Sequence, residues 1–428
     1  MEKVMKRRWM YLFVGFILLC FFGVIYAWSM FIEPMEAEFG WQRSQTSAIF
    51  SISCITVNIG MVISGALESR VDHRKIFVGA AALIVAGFLG AAFCQSLMQI
   101  FFFYGVLVGT GVGIGFNSAI NIPMKWFPDK IGVGTGCLLM GYGAGAMILS
   151  PLVTTLLGMM NWRFTFVVLA ILFGVIVVCG ALILRVPDPE QVAPLIAKAK
   201  ETNSVSRVDL TPQQALKKPV FWIAFVWLML VCSGGLGLIS QAVPAAQEVL
   251  GTSEAAVALA TAAMGSVSLC NGLGRLLNGF IWDRFGYRAS LIWISVAFSL
   301  GMLACAFGNS TGSFPLLVAG FVLLGLMYGG NMSATSTIAG TFFGTKHFAI
   351  NYAVLCCQMI PAAVIGPTLL AAMQTGSGSY LSAFWAFFAI AVFCFLFQFL
   401  VRRPNLEEEA SEKMNLAEML EDSAEGMA

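Results

Sequence analysis

The chain has 428 residues, of which 59% are hydrophobic and only 11% are charged, and its mean hydropathy is +0.85. Soluble domains carry about a quarter charged residues, so this composition excludes an ordinary soluble fold. The net charge is +2 and the basic residues are dispersed, which argues against nucleic acid as a partner. We therefore expect the lipid bilayer to solvate most of the chain.

Apolar segments follow one another along the chain, each about as long as the 20 residues that a helix needs to cross a bilayer. They lie near residues 10–32, 45–67, 76–95, 98–122, 131–155, 164–185, 219–243, 255–281, 289–308, 314–338, 348–373 and 380–401. The first is too long for the apolar core of a signal peptide, so we interpret it as a retained span. Barrel strands would alternate over about ten residues, and these runs do not. The sequence predicts an all-α membrane protein with twelve transmembrane helices.

A polar segment divides the predicted spans into two groups of six. It contains Pro187, Pro189 and Pro194 and much of the longest polar stretch of the chain. The chain end, which begins at Pro404 and includes Glu407, is acidic and poor in apolar residues, so we expect a solvated tail. The predicted organisation is an N-terminal half at 1–185, a linker at 186–218, a C-terminal half at 219–403 and an acidic tail at 404–428.

Lysine and arginine predict the orientation, because cytoplasmic loops are enriched in them. An even number of spans places both termini on one side, and that side collects nearly all the basic loop residues. The opposite side has only Arg43 and Arg163. We expect both termini, the linker and the tail to be cytoplasmic, in the inner membrane of a bacterium.

The two halves repeat a loop pattern. Gly65-x-Leu67, followed by Arg70, joins predicted helices 2 and 3, and Gly279-x-Ile281, followed by Arg284, joins predicted helices 8 and 9. The segments 126–130 and 342–346 precede helices 5 and 11 at a similar offset. These matches indicate two parallel six-helix repeats. Where a membrane protein built from such repeats binds a substrate, the site lies at the interface of the repeats, near the membrane midplane.

The segment from Gly279 to Arg288 resembles the loop between helices 2 and 3 of the major facilitator superfamily. The first-half copy departs from that pattern, with Ser69 in place of an aspartate and Asp72 in place of a glycine. A narrower resemblance, to the oxalate/formate antiporter branch related to monocarboxylate transporters, rests on 23–28, 125–130, 161–163, 216–222 and 351–352. The resemblance implies the major facilitator fold and alternating-access transport of a small carboxylate anion.

Arg275 is the main candidate for a binding residue. It lies eight residues before Asp283 at the end of helix 8, which is about 12 Å along a helix. An arginine within the membrane costs at least roughly 2.5–3.5 kcal/mol and is by default a functional hypothesis. No aspartate or glutamate lies well inside a predicted span; Glu33 is at the outer end of helix 1. A buried ion pair or a snorkelling side chain is the alternative, but we expect an anionic substrate as the partner.

The resemblance adds further site residues. It implies that the arginine in helix 8 holds the carboxylate, and it implies a lysine in helix 11 where this chain has Met359. One cation instead of two disfavours oxalate and favours a monocarboxylate such as formate, acetate, lactate or pyruvate. The resemblance also suggests as cavity-lining residues Tyr26, Trp28, Phe116, Asn117, Tyr328 and Gln358. For each aromatic residue, ordinary helix packing is the alternative.

Other functional classes fit the sequence less well. It contains no GxxxxGK[ST] phosphate-binding loop, so ATP hydrolysis is not supported. Both histidines, His73 and His347, lie in predicted loops, so we expect no enzyme site, metal or cofactor. We expect the protein to be a monomer. We also expect it to exchange anions, since no predicted span offers an evident group to carry a proton. Proton-coupled symport, oxalate/formate exchange, and a drug or organic-ion carrier of the same fold remain open, as does a receptor.

Overall fold

The computed structural model describes residues 2–68, 70–201, 209–251 and 253–404, and all the regular structure in these residues is helical. The helices before the linker are α1 (Glu2–Phe22), α2 (Ser29–Phe39), α3 (Arg43–Leu67), α4 (His73–Ala92), α5 (Leu97–Ile100), α6 (Gly109–Met124), α7 (Ile131–Met159) and α8 (Trp162–Ile183). A 3-10 helix at Gly23–Trp28 connects α1 to α2. A π-helical stretch at Phe101–Val108 connects α5 to α6.

The linker and the second half add eight helices in the described residues. They are α9 (Pro189–Glu201), α10 (Pro212–Leu216), α11 (Pro219–Leu250), α12 (Glu254–Thr311), α13 (Phe314–Phe343), α14 (Phe348–Cys356), α15 (Met359–Ser377) and α16 (Tyr380–Phe397). A short 3-10 helix at Gln398–Leu400 follows α16. The predicted acidic tail lies outside the described residues from residue 405 onwards.

The helices account for all twelve predicted spans. Within the described residues, ten helical segments are long and apolar enough to cross a membrane, and Ile131–Gly145 in α7 is a shorter apolar helix. The long helix α12 contains two predicted spans. Gly286, with a φ of 83°, interrupts the helical path between them. A positive φ favours glycine, which has no Cβ to clash. The prediction of an all-helical protein with twelve spans is confirmed.

Predicted helix 11 is not continuous. It consists of α14 and α15, with an interruption at Cys357 and Gln358. The amides of these two residues bond to carbonyls three positions earlier, at Val354 (3.2 Å) and Leu355 (3.3 Å). Pro361 follows and has no N–H to continue the helical pattern. Cys357 and Gln358 therefore form a tighter turn between α14 and α15.

The end of the linker is bonded to the C-terminal half. The Leu210 amide donates to the Phe343 carbonyl at 2.9 Å. The Asn351 side chain donates to the Leu210 carbonyl at 3.0 Å, and the Leu210 side chain is buried. The Lys346 amide donates to Asp209 at 2.9 Å. This part of the linker therefore has a fixed place against the ends of α13 and α14.

The two halves meet closely at the membrane face that carries the linker, which we call the linker face. There Asp283, from the end of the first span of α12, accepts hydrogen bonds from the amides of Gly132 (2.9 Å) and Val133 (2.8 Å) at the start of α7. A carboxylate is stabilised at a helix N-terminus, where free N–H groups and the helix dipole favour negative charge. Gly132 also lies so close to Gly279 that no side chain fits between them.

A second contact between the halves lies between α3 and α14. A Cβ atom at Gly65 would lie only 2.6 Å from the Ile350 Cα atom, so the two backbones touch. Asn117 of α6 donates both to the Met61 carbonyl of its own half (3.0 Å) and to the Ala349 carbonyl of the other half (3.2 Å). Together with the Asp283 contact, these interactions join the two halves at the linker face.

Asp283→Asn is expected to loosen this closure. The amide side chain has no charge to place at the N-terminus of α7, which costs about 1 kcal/mol and corresponds to about fivefold faster amide exchange. Hydrogen–deuterium exchange with mass spectrometry over residues 131–136 measures the effect. Asp188→Asn, which alters an exposed linker carboxylate bonded to Gln191, is the matched control. Equal exchange in the two variants would contradict the assigned role of Asp283.

Candidate functional site

A cavity of about 60 Å³ lies between the two halves. The N-terminal half contributes Ile25, Cys54, Val57, Asn58, Met61, Phe116, Leu139 and Tyr142, and the C-terminal half contributes Arg275, Met332, Thr335, Tyr352, Cys356, Gln358 and Met359. The wall is mostly apolar and aromatic, with few polar groups, as is typical of small-molecule sites. Among these residues Arg275 carries the only charge.

Neutral groups hold Arg275 in place. Its side chain is 2% exposed. Its Nη1 atom donates to the Leu139 carbonyl of α7 at 2.6 Å, and its Nε atom donates to Asn271 Oδ1, one turn earlier in α12, at 3.3 Å. A Cβ atom at Gly143 would lie 3.3 Å from the guanidinium carbon, so the glycine leaves room for the charged group. The guanidinium thus bridges the two halves at the cavity wall.

Arg275 forms no ion pair with any acidic side chain in the described part of the chain; the ion pairs found there join other residues. A membrane-buried cation without a carboxylate partner is costly unless water or an anion reaches it. Its remaining N–H groups suit a carboxylate, since a guanidinium donates two parallel hydrogen bonds to two oxygens. The cavity therefore has the chemistry of a site for a small organic anion.

Four predicted site residues line this cavity together: Arg275, Phe116, Gln358 and Met359. Phe116 packs edge-on against Tyr142, with 4.7 Å between ring centroids. Gln358 lies at the interruption between α14 and α15 and is fully buried, and Met359 begins α15. Met359 therefore brings an apolar side chain, rather than a second cation, to the wall that contains Arg275.

Three of the other predicted residues, Trp28, Asn117 and Tyr328, do not line the cavity. Trp28 is buried within the N-terminal half, where it donates to the Thr46 carbonyl at 2.9 Å. Asn117 forms the contact between the halves at the linker face. Tyr328 is buried against Gly235 of α11. The Tyr26 side chain lies outside the described residues. In this structure the first three pack the helices together, and a role in substrate binding stays a prediction for them.

Several lining residues were not among the predicted ones. Asn58 of α3, Tyr142 of α7, Thr335 of α13 and Tyr352 of α14 all face the cavity. Asn58 could have been noticed as an amide within an apolar span, and Tyr352 belongs to a segment that carries the family resemblance. For the other two, the sequence gives no sign of which helix face meets the other half.

A second cavity, of about 540 Å³, lies at the linker face. Gly65 and Ile350, whose backbones form a contact between the halves, are part of its wall. Its charged residues include Lys125 and Glu68, which pair with each other at 2.9 Å. Although it is larger than the central cavity, it does not contain Arg275. We interpret it as a vestibule that the contacts of Gly65 and Asn117 separate from the central cavity.

Two of the segments that resemble the antiporter branch brace the N-terminal half. Arg163 donates to Glu38 at 2.7 Å and to the carbonyls of Ala92 and Cys94, and Trp162 donates to Glu38 at 2.6 Å. The Arg163 guanidinium holds the pKa of the Glu38 carboxyl below its usual value. This segment therefore joins α2, the end of α4 and α8 at the face opposite the linker.

The corresponding brace at the linker face involves the segment before α7. Arg8 pairs with Asp129 at 3.0 Å, and the Trp126 indole donates to the Arg185 carbonyl at 2.8 Å. These contacts tie the start of α1 and the end of α8 to the loop between α6 and α7. Both segments stabilise the arrangement of helices and lie apart from the residues of the central cavity.

Comparison with known proteins agrees with this architecture. The family model of the Major Facilitator Superfamily matches residues 11–276 and 230–421. The oxalate:formate antiporter of Oxalobacter formigenes is 25% identical over 400 residues, which cover 92% of each chain. Monocarboxylate transporter 12 of Xenopus laevis is 25% identical over 398 residues, which cover 89% of this chain and 85% of the relative.

The fold is also that of a solved structure. A double-tryptophan variant of XylE superposes with a TM-score of 0.72 at 14% identity, covering 94% of this chain and 97% of that one. The resemblance drawn from the short sequence segments is thus confirmed over nearly the whole chain. The chain belongs to the major facilitator superfamily, and it is a multi-pass membrane transporter rather than an enzyme.

Proposed function

We propose that this transporter moves a small monocarboxylate anion by alternating access, with Arg275 as the group that binds the carboxylate. The observation that carries the proposal is the buried Arg275 guanidinium, which lines a cavity between the halves and has only neutral hydrogen-bond partners in the described part of the chain. A transported anion supplies the missing negative charge. The names of the relatives, an oxalate:formate antiporter and monocarboxylate transporters, support the same substrate class.

The size and charge of the cavity favour one carboxylate over two. Met359 lines the wall and adds no charge, so a dicarboxylate such as oxalate would place a second negative charge in a site with one cation. Formate, acetate, lactate and pyruvate each bring one negative charge. Oxalate/formate exchange is the second candidate, because the relative from Oxalobacter formigenes carries that name.

Exchange of one anion for another is the proposed mode of transport. Proton-coupled symport needs a group that binds and releases a proton during the cycle, and the described residues of the cavity wall include no carboxylate, histidine or lysine. We further propose that the linker face is cytoplasmic in a bacterial inner membrane. The structure then represents a state closed towards the cytoplasm, and the opposite state requires separation of the Asp283 and Asn117 contacts.

Arg275→Gln is expected to abolish transport while the protein still folds. Removing one partner of a buried, hydrogen-bonded charge pair costs about 2–5 kcal/mol, so anion affinity should fall by about 30-fold or more. Arg275→Lys should keep part of the affinity, because it keeps the charge but loses the two-pronged geometry. Binding to purified protein and uptake into liposomes measure the effect.

Arg402→Gln is the matched control for Arg275. This arginine is exposed just after the last span, so its loss should leave affinity unchanged. Thermal unfolding of all three variants shows whether the proteins are intact. Normal transport by a folded Arg275→Gln protein would overturn the proposed anion site.

Exchange predicts that uptake of labelled monocarboxylate depends on anion inside the liposome. Liposomes preloaded with unlabelled substrate should take up label several times faster than empty liposomes, with or without an imposed pH gradient. The physical reason is that the charged Arg275 site returns across the membrane at lower cost when an anion occupies it. Uptake into empty liposomes that a pH gradient drives equally well would establish proton symport instead.

Met359→Lys is expected to shift selectivity from monocarboxylates to dicarboxylates. Two unit charges about 8 Å apart at an effective dielectric constant of about 20 repel by roughly 2 kcal/mol, which a dicarboxylate relieves and a monocarboxylate does not. Competition by oxalate against formate and lactate measures the ranking. Met359→Leu, which keeps the side chain neutral, should preserve the original order. An unchanged ranking in the lysine variant would show that residue 359 does not face the bound anion.

A further inference from the structure

Gln358 has a buried side chain whose polar atoms form no strong hydrogen bond within the described part of the protein. It is 0% exposed and lines the central cavity. Neither its Nε2 nor its Oε1 atom has a hydrogen-bond partner among the described residues. The Cys232 thiol, a weak hydrogen-bonding group, is a polar neighbour. A complete amide is therefore presented to the cavity in a place where water has little access.

Three other buried amides of the protein donate to main-chain carbonyls. Asn117 donates to two carbonyls, Asn331 donates to the Leu228 carbonyl at 3.3 Å, and Asn351 donates to the Leu210 carbonyl at 3.0 Å. Each of these NH₂ groups fixes a contact between two segments of the chain, although the Oδ1 atom of each side chain has no partner among the described residues. Gln358 fixes no such contact, so its buried amide contributes to the site rather than to helix packing. Buried polar groups without partners are costly, and a ligand that supplies partners removes that cost.

The opposite wall of the cavity offers a second acceptor. Asn58 of α3 is 6% exposed and donates through Nδ2 to the Cys54 carbonyl at 2.9 Å. Its Oδ1 atom is buried without a partner. Besides the hydroxyl and thiol groups of its wall, the cavity thus has the Arg275 cation, an amide that both donates and accepts at Gln358, and an acceptor at Asn58. Arg275 and Gln358 belong to the C-terminal half, and Asn58 belongs to the N-terminal half.

These groups match different parts of a ligand. A carboxylate only accepts hydrogen bonds, so it satisfies Arg275 but leaves the amide oxygens of Gln358 and Asn58 without donors. A hydroxyl group both donates and accepts, so it can satisfy either amide oxygen and the Gln358 NH₂ group. Formate and alkyl acids such as acetate or propionate have no group of this kind. The polar pattern therefore fits an anion that has a hydroxyl group beside its carboxylate.

The volume of the cavity limits the size of such an anion. A cavity of about 60 Å³ has room for about four to six waters, at about 10–15 Å³ for each. Glycolate and lactate have similar numbers of non-hydrogen atoms. We infer that Gln358, with Asn58 across the cavity, selects short 2-hydroxy monocarboxylates against alkyl acids of the same length. This inference rests on the proposed function and specifies its substrate class.

The test compares two anions that differ only in the hydroxyl group. Purified protein in liposomes is assayed for binding and exchange of lactate and propionate, with glycolate and acetate as a second pair. Wild-type protein should prefer the hydroxy acid by about tenfold, the magnitude of one good hydrogen bond. Gln358→Met, which has a similar shape and no amide, should bring the ratio close to one by weakening hydroxy-acid binding while propionate binding stays nearly constant.

Gln241→Met is the matched control. Gln241 is a glutamine of α11 whose Oε1 atom accepts from the Tyr380 hydroxyl at 2.7 Å, and it does not line the central cavity. This variant should keep the wild-type preference. The preference for the hydroxy acid over the alkyl acid is measured on wild-type protein, so this part of the test remains valid even if Gln358→Met fails to fold.

The outcomes separate the inference from the proposed function. Wild-type protein could bind and exchange lactate and propionate equally well, with both anions dependent on Arg275. That result would overturn the role of Gln358 and leave monocarboxylate transport in place. A tenfold preference that persists in Gln358→Met would overturn it as well, since the hydroxyl would be recognised elsewhere. Failure of every monocarboxylate to bind would refute the proposed function itself.

Discussion

The positive charge of Arg275 is the constraint on which the central site depends. The guanidinium is buried in the membrane-spanning part of α12, and neutral oxygens from Asn271 and Leu139 hold it. Hydrogen bonds to neutral groups fix its direction but do not neutralise it. A cation in this position needs either a carboxylate from the protein or a cavity that water or an anion can enter. The described structure provides the cavity, with Gly143 leaving the room that the side chain requires.

In the proposed alternating-access cycle, the same arginine connects the site to the movement of the two halves. Arg275 belongs to the C-terminal half, while Leu139 belongs to the N-terminal half, so the bond between them breaks or changes when the halves separate. At the linker face the halves are joined through main-chain groups at Gly132 and Ala349. Water can replace such hydrogen bonds when the face opens. The contacts that close one side are therefore of a kind that an alternating-access cycle can form and release.

The segments that resemble relatives and the residues that line the cavity are largely different sets. Arg163 and Asp129 lie in the resembling segments, and their ion pairs brace helix ends at the two membrane faces. Asn58 and Thr335 face the cavity but lie outside those segments. Short motifs are conspicuous because loops and helix ends need particular charges and turns. Cavity residues are single positions within apolar helices, so they are much less visible in a sequence.

The sequence by itself determined the helical architecture and the centre of the site. Runs of about 20 apolar residues allow only spanning helices, and Arg275 stands out because a charge is costly there. The family resemblance also predicted that Met359 lies at the cavity, where it is found. The structure decided the interruption at Gln358 and the packing roles of Trp28 and Asn117, and it added Asn58 and Tyr142 to the wall. A membrane helix is apolar on most sides, so its sequence does not distinguish a face that meets lipid from one that meets another helix. Only the packing of the two halves decides which side chains border the same space.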